Sequence, residues 1–151
     1  YATLSIHLKN IPPKYRKHAL IAYHKNNEIS AENGDVKGQW ITTKIRNLGE
    51  YTIEIDTIPP TIKPLNIFPG KTMTGNEYIS FSIDDDLSGI KDYNGYIDNK
   101  WVLFEYDPKN NLIRHYFDNK NPDTSIETHE LKIYVTDESE NRTMYQATFK
   151  R

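Results

Sequence analysis

"EYISFSIDDDLSGIKDYNGYIDNKW", residues 77–101, carries the two signals from which the fold is read. Its opening letters alternate: Ile79, Phe81 and Ile83 face one way, Ser80 and Ser82 the other. A period of two belongs to a half-buried β-strand, whose successive side chains leave opposite faces. The alternation stops at Asp84, Asp85 and Asp86, and Ser88-Gly89 follows. Asp and Ser side chains bond nearby backbone N–H groups and Gly accepts a positive φ, so this run reads as a turn. A second strand, "YNGYID" (93–98), then leads into "DNK", another tight turn.

The same rhythm continues downstream. "KWVLFEY" (100–106) and "NLIRHYF" (111–117) flank "DPKNN" (107–111), a Pro/Asn turn that predicts a hairpin. In "HELKIYVTD" (129–137), Leu131, Ile133 and Val135 alternate with Lys132 and Tyr134; in "MYQATFK" (144–150), Tyr145, Ala147 and Phe149 do the same. With a leading strand over Leu65–Phe68, about seven short strands follow residue 60, with turn signals roughly every 8–12 residues. That pattern predicts an immunoglobulin-like sandwich. Upstream, "ATLSIHL" (2–8), "HALIAYH" (18–24), "QWITTKI" (39–45) and "EYTIEID" (50–56) read as strands, and Pro12-Pro13 and "NNEISAENGD" (26–35) as loops. "KYRKHALIAYHK" (14–25) could wrap a helical face, but its short length and its Tyr and Ile favour strand. "DTIPPTIKP" (56–64) reads as a linker, because Pro59 and Pro60 fix φ and donate no N–H. The expected fold is all-β: two immunoglobulin-like sandwich modules in tandem, over 1–58 and 59–151, the first short of a full set of strands.

Composition narrows the function. The chain has 151 residues, a formal charge of -2 and no cysteine. The near-neutral balance gives no electrostatic footprint for nucleic acid or an anionic membrane. No segment approaches the roughly 18 consecutive apolar residues of a spanning helix. Without cysteine there is no disulfide, thiolate nucleophile or cysteine-based zinc site. Eleven tyrosines offset a lean mean hydropathy of -0.76, since a tyrosine fills a core while keeping its hydroxyl wet. Because Tyr1 is not Met, the chain reads as a piece of a longer precursor.

Several residue sets invite chemistry. Against the calcium-loop template, Asp84, Asp86 and Ser88 fall at positions one, three and five, Gly89 at six and Asp92 at nine. Position twelve is Gly95 rather than a bidentate Glu, so a site there needs a further ligand, Asp98 or Asp137. The bland reading is a strand-to-turn junction, and it comes first, with calcium as an option. A glycosidase pair of carboxylates needs two groups roughly 5–9 Å apart across a cleft, and adjacent residues on a strand end diverge. His7, His18, His24, His115 and His129 form no His-x-His, and "HELKI" has Ile133 where a zinc-protease helix has its second His. No Gly-x-Ser-x-Gly elbow and no phosphate loop occurs. Trp40, Trp101 and the tyrosines suit either a sugar-stacking platform or, more simply, core packing, with Trp101 opening a strand in mid-sandwich. Asn141-Arg142-Thr143 fits the glycosylation sequon, a pattern too short to weigh.

Three stretches in order, "IDTIPPTIKPLNIFPG" (55–70), "ISFSIDDDLSGIKDYNGYIDNKWVLFEYDPKNNLI" (79–113) and "HELKIYVTDESENRT" (129–143), together resemble the C-terminal region of exported zinc metallopeptidases of the lysostaphin/LytM type from Bacteroides-like bacteria. "IPPKYRKHALIAYHKNNEIS" (11–30) and "IRNLGEYTIEIDT" (45–57) resemble the module before it. The resemblance implies immunoglobulin-like modules attached to a peptidoglycan endopeptidase. That family's His-x-x-x-Asp and His-x-His motifs are absent here; His115-Tyr116-Phe117-Asp118 is one residue short. No catalytic residue carries over. The chain is therefore expected to be a non-catalytic accessory region, exported to the periplasm or cell surface, with no cofactor beyond the calcium option. Its implied partners are its own peptidase domain, a cell-envelope protein or peptidoglycan. The rival expectation is a free-standing carbohydrate-binding or adhesive module. One departure stands out: Glu138-Ser139-Glu140 occupies a loop that often carries Gly in that family.

Overall fold

The structure is a computed structural model and describes residues 1–118 and 122–151. The strands are β1 (Ala2–His7), β2 (Ala19–Lys25), β3 (Glu28–Asn33), β4 (Asp35–Lys37), β5 (Trp40–Ile45), β6 (Glu50–Ile55), β7 (Thr61–Pro64), β8 (Lys71–Thr72), β9 (Tyr78–Asp84), β10 (Ile90–Ile97), β11 (Lys100–Val102), β12 (Glu105–Asp107), β13 (Leu112–Tyr116), β14 (Thr128–Asp137) and β15 (Arg142–Lys150). A 3-10 turn over Pro13–His18 is the one helical element among the described residues. It begins where Pro12 and Pro13 preset φ, and it ends as Ala19 turns extended. Among the described residues, no helix is long and apolar enough to cross a membrane.

The fold is all-β, as expected. From residue 61 onward, β7, β9, β13 and β12 form one sheet, and β8, β15, β14, β10 and β11 the other. All neighbours are antiparallel except β8, which runs parallel to β15. This strand order is that of an immunoglobulin-type sandwich: a four-stranded sheet faces one carrying an additional edge strand, and the leading segment crosses between them. Ile79, Phe81, Ile83, Leu131, Ile133 and Val135 are all fully buried between the sheets, as the alternation predicted. Burying each is worth about 1.5–3 kcal/mol relative to exposure.

The first part also has two sheets, β1-β5-β4 and β3-β2-β6, around Leu8, Ala19, Ile21 and Ile41. It holds six strands among the described residues, two more than the four read from the sequence. The addition lies in "NNEISAENGD": instead of a loop, Glu28–Asn33 pairs with β2 and Asp35–Lys37 with β5. Asn26 and Asn27 take φ 52° and 65°, the left-handed pair that closes a two-residue hairpin.

Three other expectations are corrected. Leu65–Phe68 is no strand; the ladder is interrupted because the Asn66 side chain accepts from Ser80 N (2.9 Å) and donates to Tyr78 O (2.9 Å). Within the expected linker, Thr61–Pro64 pairs with β9. "KWVLFEY" is two strands in different sheets, with the change at Leu103-Phe104. Phe104 drops into the core over Gly95, where an added Cβ would overlap its ring.

Candidate functional site

The acidic turn between β9 and β10 packs against the end of the first part of the chain. Asp85 organises it: Oδ2 accepts from Gly89 N (2.7 Å), Leu87 N (3.2 Å) and Ser88 Oγ (3.3 Å). Gly89 has φ 87°, the left-handed conformation the turn reading required. Asp56, only 2% exposed, accepts from Ile58 N (3.0 Å) and from Ser88 N (3.2 Å). Asp137, fully buried at the end of β14, accepts from Asn141 N and Asn141 Nδ2 (2.8 Å each). The same Nδ2 donates to Asp56 O (2.9 Å). Burial, and then the negative charges of Asp56 and Asp85, push the Asp137 carboxyl above its usual range.

Two further bonds cross the same junction and a third ties the linker to β15. His18 Nδ1 lies 2.7 Å from Ser139 O, Asn33 Nδ2 donates to Ser88 O (3.1 Å), and Thr143 Oγ1 donates to Pro60 O (2.5 Å). The turn and the 137–141 loop thus form a clasp between the two pairs of sheets.

The residues expected to ligate calcium have several different partners. Asp84 accepts from Asn111 Nδ2 (3.0 Å), Asp92 accepts from Asn94 Nδ2 (3.0 Å), and Ser88 is buried with its hydroxyl turned to Asp85. Of the three expected carboxylates, Asp86 belongs to a set whose oxygens converge within 4.8 Å, namely Asp56, Asp85 and Asp86, and Ser88 Oγ bonds Asp85 of that set. Those three are the residues that could hold a hard cation. Of the two further ligands considered, Asp137 lies beside this set, whereas Asp98 follows the far end of β10 and bonds His129 Nδ1 (2.7 Å). Asp56 was not singled out because nothing near it in the sequence marks it; only the tertiary fold brings it to Asp85.

The histidines hold structural posts. His115 Nδ1 lies 2.9 Å from Leu103 O, and burial lowers its pKa. His24 Nε2 lies 2.7 Å from Thr52 Oγ1, but that hydroxyl donates to Glu54 Oε1 (2.9 Å). His24 is therefore the donor to Thr52 and not a base for its proton, the reverse of an activated nucleophile.

The second feature is the outer face of the five-stranded sheet. Trp101 is 56% exposed rather than in the core, and Trp40 is likewise 50% exposed. Parity explains Trp101: its neighbour Val102 points inward, so Trp101 must point out. Its Nε1 donates to Asn94 Oδ1 (3.1 Å), which fixes the ring against β10. Tyr96 stands opposite both Trp101 and Lys132, and meets Tyr134 edge to face at 6.0 Å. The Arg142 guanidinium lies 4.2 Å over the Tyr134 ring.

Residues 1–56 match the Zu5-like domain family. No curated protein matches the chain. Among solved structures, the SrpA adhesin from Streptococcus sanguinis is similar at 19% identity and a TM-score of 0.43, over 64% of this chain and 58% of that one. The fibronectin(III)-like modules of Clostridium thermocellum CbhA are similar at 12% identity and 0.42, over 98% and 84%. An expansin from Clavibacter michiganensis is similar at 8% identity and 0.39, over 96% and 75%. The chain thus spans little more than half of the adhesin.

Proposed function

We propose that this chain is a non-catalytic binding and positioning region of an exported cell-envelope protein, in the periplasm or at the cell surface. In this reading, units 1–58 and 59–151 hold a peptidoglycan-cutting domain in place or contact the wall or an envelope protein. The clasp carries the proposal. A positioning element needs a stiff joint, and here Asp56, His18 and Asn33 are each bonded across it to the acidic turn or the 137–141 loop. No cofactor is required. Co-sedimentation of the purified chain with intact peptidoglycan sacculi tests it, with release of soluble fragments monitored in parallel. Retention in the pellet without release is expected. Release would make the chain a hydrolase, and absence from the pellet would remove the wall from its partners.

A second reading, a free-standing carbohydrate-binding or adhesive module, is favoured by the exposed face around Trp101. Binding to a soluble glycan with no retention on sacculi would select it.

A further inference from the structure

We infer that the outer face of β10, β14 and β15 is a binding site for an acidic saccharide, one whose sugar rings carry carboxylates. This deepens the proposal that the chain is a binding region and names the ligand class. Tyr96, Asn99, Lys132, Tyr134 and Arg142 line a shallow depression of about 350 Å³. That is near the small end of ligand pockets, which run roughly 300–1,000 Å³. Two aromatic rings supply faces or edges for the C–H groups of a sugar ring, and Trp101 extends the aromatic row onto β11. Asn99 supplies an amide that both donates and accepts, as hydroxyl recognition requires.

Charge selects among sugars. Among the described residues no carboxylate lines the depression, yet two cations do. Lys132 is already matched, lying 3.2 Å from both Glu130 Oε2 and Asn99 Oδ1. Arg142 makes no ion pair among the described residues; it is held only by stacking on Tyr134. The carboxylates on its other side are engaged, Asp92 by Asn94 and Glu140 by Lys91. A stacked guanidinium keeps its N–H edge free, and that edge matches a carboxylate in bidentate fashion. In a chain of net charge -2, this local positive excess has a complement in an anionic ligand and none in a neutral one.

Titration calorimetry with a uronic-acid oligosaccharide tests the site, with a neutral chito-oligosaccharide as the comparison and a sulfated oligosaccharide as the second acidic arm. The uronic-acid ligand is expected to bind at least tenfold more tightly than the neutral one, and more weakly as salt rises. Arg142→Ala and Trp101→Ala should each weaken it by tenfold or more, while Arg142→Lys retains part of the affinity. Both side chains are exposed, so these variants should melt like the parent. Equal binding of the neutral ligand, preference for the sulfated one, or indifference to Arg142→Ala would overturn the inference. Retention on sacculi without uronic-acid binding would end this inference and leave the broader reading standing; absence of both would end both.

Discussion

Glu140 shows how a single residue can sit against its own preference. It takes φ 67°, in the 137–141 loop. A left-handed conformation costs a non-glycine residue about 1–3 kcal/mol, most for β-branched side chains. Glu140 already bears that cost, so Glu140→Gly should be tolerated and Glu140→Val should destabilise only by the further β-branched penalty, about 1 kcal/mol, both read by urea denaturation. Gly95 is the opposite case. Its constraint is steric, because the Phe104 ring covers the place of a Cβ. Gly95→Ala is expected to cost about 1–3 kcal/mol by forcing that ring aside; an unchanged midpoint would mean that the ring has room to move. His115 gives a pH dependence. Burial holds its pKa below the ordinary value near 6.5, so the unfolded chain takes up the proton first as pH falls. The stability tied to neutral His115 is present above about pH 6.5 and declines below it, by at most about 1.4 kcal/mol per pH unit. Melting between pH 7 and 5 should fall less steeply in His115→Gln than in the parent.

At the scale of elements, alternation identified the strands that bury one face, and missed those that bury neither. Glu28–Asn33 has no fully buried residue, so its sequence has no apolar period to read. Leu65–Phe68 failed the other way: its apolar letters look like a strand, but the Asn66 amide stands in for the ladder. Trp101 was legible by parity and misplaced by residue type, since a large aromatic suggests a core while its buried neighbour Val102 dictates the outside. The acidic turn was legible as a turn, with Gly89 at positive φ, but the residue that ties it is Asp85 rather than Asp84 or Asp86. Its partner Asp56 lies on the far side of the linker, beyond the reach of any local pattern. Backbone N–H groups already occupy three of the four oxygens of Asp56 and Asp85. We accordingly expect a chelator to leave the melting temperature unchanged. A rise with millimolar calcium would instead assign a metal to Asp56, Asp85 and Asp86.

For the whole molecule, the clasp decides whether the two pairs of sheets move together. His18→Ala combined with Asn33→Ala removes two bonds across it while leaving both cores intact. Small-angle scattering should then report a broader range of dimensions than in the parent, with the melting of the larger sandwich little changed. An identical scattering profile would show that the bonds of Asp56 to Ser88 and Asn141, with the linker, hold the geometry without His18 and Asn33.

The parallel pairing of β8 with β15 has a mechanical consequence. Gly70 N bonds Thr148 O (2.8 Å) and Met73 N bonds Lys150 O (2.7 Å), so β8 and the last strand of the larger sandwich run side by side in one direction. Tension between Gly70 and Lys150 would pull these two strands past each other, loading their bonds together rather than opening them one by one. A sandwich loaded in this way would resist rupture better than a hairpin peeled from its tip.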